Sequence, residues 1–310
     1  MSAPLTVVIS GATGLIGRAL VAECNDRGFR VVALARNVER AKNSLSGKAA
    51  VVRYSLGDAE VALPDLQGAA AVVNLAGESL FKPFTGRGKL RRATMERVAG
   101  TERLASACSR SPVKPQVFIQ ASSVGVYGFG SPKDEEVSET MAPLDDEYSV
   151  GSRAWEDAAI KNLGDIRSVL IRLGYVLAKD GGGLPRQIAQ ARKGKVSFFA
   201  PGRQWLPWIQ LDDVVSVIVS AIEDATWQGP YNVVAPDSVT AESFARALAV
   251  ATGASQPKAS PRFLARVFVG AGAATVLDGR NVVPRRLIER RFPFRHPNLG
   301  EALVELCTPC

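Results

Sequence analysis

Short apolar, β-branched runs alternate with amphipathic stretches through the first two-thirds of the chain. The runs predict strands at residues 5–10, 29–35, 49–54, 70–75, 116–121 and 166–173. Helical patterns cover residues 15–27, 89–110 and 147–163, and a shorter one ends near Leu45. Continuous β-branched strands separated by helices are typical of a parallel sheet covered on both faces. The pattern therefore predicts an α/β fold, a doubly wound parallel sheet of the Rossmann type.

A glycine-rich turn joins the first predicted strand to the first predicted helix. Gly11 permits the tight turn, Gly14 lets backbone approach a pyrophosphate, and Gly17 lets the helix pack close to the sheet. The helix N-terminus adds free N–H groups and a positive dipole end. In this setting the spacing predicts a dinucleotide site, with an ordinary βα turn as the alternative. The predicted cofactor contacts here are Gly11, Thr13, Gly14, Leu15, Ile16 and Gly17.

An arginine stands where the second predicted strand ends. A site for NAD usually carries Asp or Glu there, to hold the ribose 2′-hydroxyl. The chain instead has Ala35, Arg36 and Asn37, and an arginine suits a 2′-phosphate. We therefore predict NADP(H) as the cofactor, with a merely solvated Arg36 as the alternative.

The pattern loosens after Gly174. It predicts helices at 184–193, 212–224 and 240–252, with Asp212 as the N-cap of the second, and strands at 208–211 and 231–234. Short elements follow from Pro257. We expect residues 1–175 to form the NADP(H)-binding domain, with its final strands and helices contributed from 208–234. Residues 176–310 should form a smaller, interleaved C-terminal α/β lobe that holds substrate.

The formal net charge of +8 is compatible with nucleic-acid or membrane-surface binding. The charges are scattered, however, and there is no basic-aromatic module of a nucleic-acid binder. We expect a small-molecule or nucleotide-linked substrate, no nucleic acid and no membrane span, with a protein assembly partner left open. No targeting segment is visible, so a cytoplasmic, stromal or matrix location is expected.

Four cysteines are too few for a disulfide scaffold in a chain of 310 residues. Cys24 and Cys108 fall on predicted helices and should be small buried apolar residues. Cys307 and Cys310 form a CxxC at the end of the chain, and His296 is the only histidine. We interpret the pair as part of a tail rather than a metal site, with zinc or redox chemistry as the alternative.

The chain combines the glycine turn with NLAGE at 74–78, ASSVGVYG at 121–128 and Tyr148. Together these features resemble the extended short-chain dehydrogenase/reductase superfamily. RLGYVL at 172–177, DGGGL at 180–184 and GRNVVPRR at 279–286 are similar to atypical, NAD-dependent epimerase/dehydratase-like members with a C-terminal domain of unknown function. The resemblance covers nearly the whole chain.

The resemblance implies residue roles. The superfamily's serine, which binds the substrate oxygen, falls at Ser123, and the tyrosine that transfers the proton falls at Tyr148. Backbone near Tyr175 and Val176 would meet the nicotinamide carboxamide. The remaining implied cofactor contacts are Leu75, Ala76, Gly77 and Ser122.

One position departs from the superfamily pattern. The lysine expected four residues after the tyrosine, which lowers the tyrosine pKa and binds the nicotinamide ribose, is Ser152. Arg153 should point elsewhere, because a helix turns about 100° per residue. Two functions therefore stay open: an NADP(H)-dependent oxidoreductase or epimerase-like enzyme, and a non-catalytic NADP(H)-binding protein that is structural or senses redox state. A nucleic-acid or membrane-surface protein is a third, supported only by the charge.

Overall fold

The computed structural model describes residues 4–54, 66–77, 86–130, 135–269 and 273–308. The strands of its main sheet are β1 (Thr6–Ser10), β2 (Arg30–Ala35), β3 (Ala50–Arg53), β4 (Ala71–Asn74), β5 (Val117–Ser123), β7 (Arg167–Leu173) and β11 (Gly229–Val233). Shorter strands are β6 (Glu136–Val137), β8 (Tyr175–Leu177), β9 (Ser197–Phe199), β10 (Trp208–Gln210), β12 (Lys258–Ser260) and β13 (Asn281–Val282). The long helices are α1 (Leu15–Asp26), α3 (Arg87–Ser109), α4 (Glu147–Leu163), α6 (Leu211–Glu223) and α7 (Ala241–Thr252). The shorter helices are α2 (Val38–Leu45), α5 (Leu184–Ala191), α8 (Arg262–Val269), α9 (Ala273–Leu277), α10 (Arg285–Glu289) and α11 (Leu299–Cys307).

The main sheet has seven strands in the order β11-β7-β5-β4-β1-β2-β3. Every neighbouring pair is parallel, so the carboxyl ends of all seven strands lie along one edge. The strand order reverses beside β1, which is where ligands bind in sheets of this kind. The predicted doubly wound fold is confirmed.

Alternate side chains of β1 enter two different cores. Val7 and Ile9 pack in the core that contains α1 and α6. Val8 packs in the core that contains Leu104 of α3 and Leu163 of α4. Parallel strands buried on both faces need apolar residues at successive positions, which explains the continuous β-branched runs.

Cys24 and Cys108 are fully buried on α1 and α3, as expected. Burial raises the pKa of each thiol to about 12, so both remain protonated and behave as small apolar residues. Cys307 is also buried, whereas Cys310 lies outside the described residues.

A separate core holds the C-terminal elements together. It contains side chains of α5, α7 and α11 with Trp208 of β10. Short parallel pairs in the described residues join β10 with β8, β12 with β9 and β13 with β6, and the last of these connects Asn281–Val282 to Glu136–Val137. Across the described ranges, no helix combines the length and apolar character needed to cross a membrane.

The N-cap prediction for α6 is wrong by two residues. Gln210 is the N-cap, and its side-chain oxygen accepts a hydrogen bond from the backbone N–H of Asp212. β10 runs directly into α6, so helical geometry begins at Leu211 and Asp212 lies in the first turn. The adjacent Asp213 is fully buried and accepts hydrogen bonds from the backbone N–H groups of Arg295 (2.7 Å) and His296 (3.1 Å).

Candidate dinucleotide site

The glycine turn leaves no room for side chains. Gly11 has φ +74°, and a Cβ there would lie 2.7 Å from the carbonyl carbon of Leu75. A Cβ on Gly17 would lie 2.3 Å from the carbonyl oxygen of Gly11. Gly14 is the exposed N-cap of α1 and offers no side chain to cap the first N–H groups. The first turn of α1 carries no acidic residue. This cradle fits an anionic group such as a pyrophosphate, because its glycines present backbone beside the positive helix end.

A buried polar network fixes the turn that follows β4. The Asn74 amide donates to Oε1 of Gln120 (2.8 Å) and to Oγ1 of Thr101 (2.9 Å). The Trp155 indole N–H donates to the same Thr101 oxygen at 2.9 Å. The backbone N–H groups of Leu75 and Ala76 donate to Ser10, to its carbonyl and its hydroxyl oxygen respectively. Leu75 and Ala76 are thereby held against Gly11. Sequence reasoning missed Thr101, since it lies on a helix remote in sequence from the turn.

Arg36 is exposed immediately after β2, at the same sheet edge as the glycine turn. Its side chain makes no hydrogen bond or ion pair with the residues that the structure describes. Asn37 next to it caps α2 by accepting from the backbone N–H of Arg40 (2.9 Å). Lys42, by contrast, forms an exposed ion pair with Glu39 at 3.2 Å. The guanidinium of Arg36 is thus available to an anionic ligand at this edge.

The two serines at the end of β5 have different surroundings. Ser122 is buried, and its hydroxyl donates to Oε1 of Glu156 at 2.6 Å. Ser123 is half-buried, and its hydroxyl oxygen accepts from the backbone N–H of Gly125 at 3.1 Å. The Ser123 hydroxyl hydrogen therefore remains available for a substrate oxygen.

Tyr148 lies in the first turn of α4 and is half-buried. Asp146 caps this helix by accepting from the backbone N–H groups of Tyr148 (2.9 Å) and Ser149 (2.8 Å). Its other oxygen accepts from the backbone N–H of Phe129 at 2.7 Å. The ring of Phe129 meets the ring of Tyr148 edge-on, with centroids 5.1 Å apart.

Phe129 lies near both candidate catalytic residues. A Cβ on Gly125 would lie 3.6 Å from the Phe129 ring and 3.4 Å from Oγ of Ser123. The ring that contacts Tyr148 and the hydroxyl of Ser123 therefore both border Gly125. Glu78 and Lys82, which follow the NLAG turn, lie outside the described residues.

No basic side chain of α4 takes the place of the missing lysine. Ser152 is half-buried, whereas Arg153 pairs with exposed Asp145 at 2.8 Å. Lys161 pairs with Asp157, also at 2.8 Å. One turn after Ser152 the same helix carries Glu156, which forms a buried bidentate pair with Arg172 (2.8 and 2.9 Å).

Tyr127 and Trp208 belong to the core. Tyr127 is fully buried, its hydroxyl donates to Oδ1 of Asn232 (2.7 Å), and it accepts from Arg172 (2.8 Å). Burial raises the pKa of this phenol despite the neighbouring guanidinium. Trp208 is 1% exposed and donates to the carbonyl of Asp237. Trp205 is half-buried, and its backbone N–H donates to the carbonyl of Gly279.

A glycine triplet, Gly181 to Gly183, packs against Leu15 of α1 and Tyr175 of β8. A Cβ on Gly181 would lie 2.7 Å from the side chain of Leu15, and a Cβ on Gly183 would lie 2.5 Å from the Tyr175 hydroxyl. That hydroxyl donates to Gln187 at 2.9 Å, and burial raises the pKa of the phenol. The triplet therefore spans the start of α1 and the strand that contains Tyr175 and Val176.

Comparison with known proteins decides the family. The NAD dependent epimerase/dehydratase family matches residues 7–234, which is more than half of the chain. The chain belongs to this family. Residues 260–306 match a domain of unknown function (DUF1731). Together with the motifs, these matches identify an atypical extended short-chain dehydrogenase/reductase, from a family that uses NAD(P).

Similarity to curated relatives extends over nearly the whole length of this chain. The chain is 30% identical over 302 residues to "Epimerase family protein SDR39U1 homolog, chloroplastic" of Arabidopsis thaliana, covering 96% of this chain and 86% of that one. It is 27% identical over 305 residues to human "Epimerase family protein SDR39U1", covering 97% and 99%.

Among the similar solved structures, two match nearly the whole of this chain. The human SDR39U1 (isoform 2) structure, which is with NADPH, has a TM-score of 0.86 at 28% identity and covers 98% of this chain and 99% of that one. A nucleoside-diphosphate sugar epimerase from Corynebacterium glutamicum has a TM-score of 0.77 at 29% identity, covering 98% of this chain and 58% of that one.

Proposed function

We propose that this family member binds NADP(H) along the glycine turn and acts as an oxidoreductase or epimerase-like enzyme on a small or nucleotide-linked substrate. The observation that carries the proposal is the cradle of Gly11, Gly14 and Gly17, which any side chain would fill or distort. Arg36 supports NADP(H) over NAD(H), because an exposed guanidinium at the end of β2 suits the 2′-phosphate. The NADPH in the human relative's structure is consistent with this choice.

The other proposed cofactor contacts lie along the same edge of the sheet. Leu75 and Ala76 present backbone beside Gly11 and are followed by Gly77, while Tyr175 and Val176 lie against the glycine triplet. Thr13, Leu15 and Ile16 complete the turn at the start of α1. Ser122 is the weakest of the proposed contacts, because its hydroxyl hydrogen already binds Glu156.

Bound NADPH supplies a hydride at C4 of the nicotinamide. In carbonyl reduction, Ser123 would donate a hydrogen bond to the substrate oxygen, which positions and polarises the C=O group. Tyr148 would give its phenolic proton to that oxygen and then regain a proton from solvent. Epimerisation would require Tyr148 and Ser123 to act in both directions on one substrate, with Tyr148 first taking the proton from an alcohol and then returning it to the carbonyl oxygen.

The second candidate is a non-catalytic NADP(H)-binding protein. It is favoured by Ser152, because the ammonium that would stabilise a tyrosinate is missing from α4. A phenol with an unperturbed pKa of about 10 is a poor general base at neutral pH.

The variant Tyr148→Phe separates the two candidates. The enzyme proposal expects wild-type protein to oxidise NADPH with at least one member of a panel of aldehydes, ketones and keto-sugars. The variant should lose about 10²-fold or more in rate, which is the usual contribution of a positioned acid. NADPH affinity, measured by fluorescence titration, should stay within about threefold, since one phenolic hydroxyl contributes little to ground-state binding. Unchanged turnover in the variant would remove Tyr148 from the mechanism, and tight NADPH binding without turnover would favour the non-catalytic protein.

A further inference from the structure

A second helix brings a cation to the level of Ser152. Arg97 lies on α3, which packs along α4, and is half-buried. Its guanidinium carbon lies 4.6 Å from the centre of the Trp155 ring. Trp155 is three residues after Ser152, so the two are neighbours on the surface of α4.

Contacts on either side of Arg97 fix this register. Thr94, three residues earlier on α3, faces α4 at Gly151, where a Cβ would lie 3.1 Å from its methyl group. Thr101, four residues later, accepts the Trp155 indole N–H at 2.9 Å. Residues three and four apart share one helix face, so Arg97 lies between these two contacts and opposite the turn of α4 that contains Ser152.

The other side of the guanidinium reaches the proposed cofactor site. A Cβ on Gly77 would lie 2.6 Å from Nε and 3.1 Å from Nη2 of Arg97. Gly77 is exposed and ends the turn that the Asn74 network holds against Gly11. Arg97 therefore spans the NLAG turn and the face of α4 on which Ser152 stands.

We propose that Arg97 is a cofactor-binding residue which supplies, from α3, the positive charge that the superfamily pattern places at position 152. The inference rests on the proposed binding of NADP(H). A guanidinium carries five N–H donors and stays charged at every accessible pH, so it can donate to ribose hydroxyls. It also places a fixed positive charge on the side of α4 that carries Tyr148, where it favours the tyrosinate. Sequence motifs do not reveal this role of Arg97, because the positive charge stands on α3 and not on α4, where the superfamily pattern places it.

Substitution of Arg97 tests the binding role. Arg97→Met should weaken NADPH binding about tenfold or more in fluorescence titration, since a charged hydrogen-bond donor is lost. Arg97→Lys should retain affinity within about threefold, because the charge remains. Arg110→Met is the matched control: it removes the same charge from the exposed C-cap of α3 and should leave affinity unchanged.

Placing a lysine at position 152 of α4 gives a second test, which compares a single and a double variant. Ser152→Lys should lower the melting temperature of the wild-type protein, because it brings a second cation beside Arg97. In the Arg97→Met protein the same change should tighten NADPH binding about tenfold, which restores the lost donor. Equal changes in NADPH affinity on Ser152→Lys in the wild-type and Arg97→Met proteins would overturn the proposal, since two residues that share a role must couple.

The ionisation of Tyr148 provides a readout that a purely structural arginine would not move. The ionisation of Tyr148 is measured as the difference in tyrosinate absorbance between the wild-type protein and Tyr148→Phe across a pH titration. Arg97→Met should shift its midpoint to higher pH and Arg97→Lys should not. Wild-type NADPH binding combined with unchanged affinity in Arg97→Met would refute the role of Arg97 alone. Failure of the wild-type protein to bind NADPH would refute the proposed function itself.

Discussion

The Glu156–Arg172 pair is the most deeply buried ion pair among the described residues. The two side chains are 7% and 10% exposed, and their contact is bidentate. Burial opposes the charge on Arg172, but hydrogen bonding to Glu156 more than offsets it and raises the pKa of the guanidinium. Ser122 and Tyr127 complete the hydrogen bonding. The pair therefore joins α4, which carries Tyr148, to β7 and to Ser122 of β5, the neighbour of Ser123 in the chain.

Breaking this pair should destabilise the protein strongly. Glu156→Gln keeps the shape of the side chain but leaves Arg172 buried without a countercharge, which costs about 3 kcal/mol or more. Urea unfolding monitored by circular dichroism measures the loss. Glu242→Gln is the matched control, because its pair with Arg246 is 33% and 58% exposed and should contribute less than about 1 kcal/mol. Similar losses for the two variants would contradict the importance assigned to the buried pair.

Residues with a local steric requirement were predictable from the sequence, and residues that act across the fold were not. Gly11 and Gly17 are glycines because neighbouring backbone lies within 2.7 and 2.3 Å of a Cβ position, and such turns have a recognisable spacing. Arg97 and Glu156 acquire their surroundings from other helices and strands. No spacing in the sequence indicates which of the many charged residues will meet the site.

At the scale of elements, the βα unit of β1 and α1 depends on close packing of helix against turn. A Cβ on Gly17 would meet only backbone atoms: the Gly11 oxygen at 2.3 Å and the Ala12 α-carbon at 2.6 Å. Backbone cannot rotate away as a side chain does, so the first turn of α1 would have to move. The same turn presents the proposed pyrophosphate site.

Gly17→Ala should therefore cost both stability and cofactor affinity. We expect a loss of about 2 kcal/mol or more in unfolding free energy, as for other overpacked positions, and loss of measurable NADPH binding. Gly88→Ala is the control, because nothing lies within 4 Å of its Cβ position on α3. It should leave stability unchanged or raise it by up to about 1 kcal/mol. Gly17→Ala protein with wild-type stability and NADPH affinity would contradict the packing argument.

Long periodic elements were predictable, whereas most of the two- and three-residue strands were not. The strands of the main sheet and helices α1, α3 and α4 follow the apolar pattern to within a few residues. β6 and β13 have two residues each, and β8, β9 and β12 have three. So few residues show no periodicity, and their pairing depends on the tertiary contacts of the C-terminal elements.

At the scale of the whole molecule, the C-terminal elements are tied to the candidate site. Lys179, just before the glycine triplet, donates to the carbonyl of Thr308 at 2.9 Å. Arg192, just after α5, donates to the carbonyl of Cys307 at 2.8 Å. The end of the chain thus holds both ends of the segment that packs on Leu15. The division of the chain into units at residue 175 stays a prediction, as do the proposed site residues and the compartment.

Because cofactor would contact several parts of this single assembly, its binding should stabilise the molecule as a whole. A ligand present at 100 times its dissociation constant adds about 2.7 kcal/mol to the unfolding free energy of a protein that binds it only when folded. NADPH should therefore raise the melting temperature more than NADH does at equal concentration.

Calorimetric titration of the wild-type protein and Arg36→Ala with NADPH and NADH tests the proposed NADP(H) site directly. Wild-type protein should bind NADPH at least about tenfold more tightly than NADH, because Arg36 would pair with the 2′-phosphate. Arg36→Ala should lose most of that preference and keep its NADH affinity. Equal or tighter binding of NADH by the wild-type protein would contradict the assignment of Arg36, and binding of neither nucleotide would contradict the dinucleotide site.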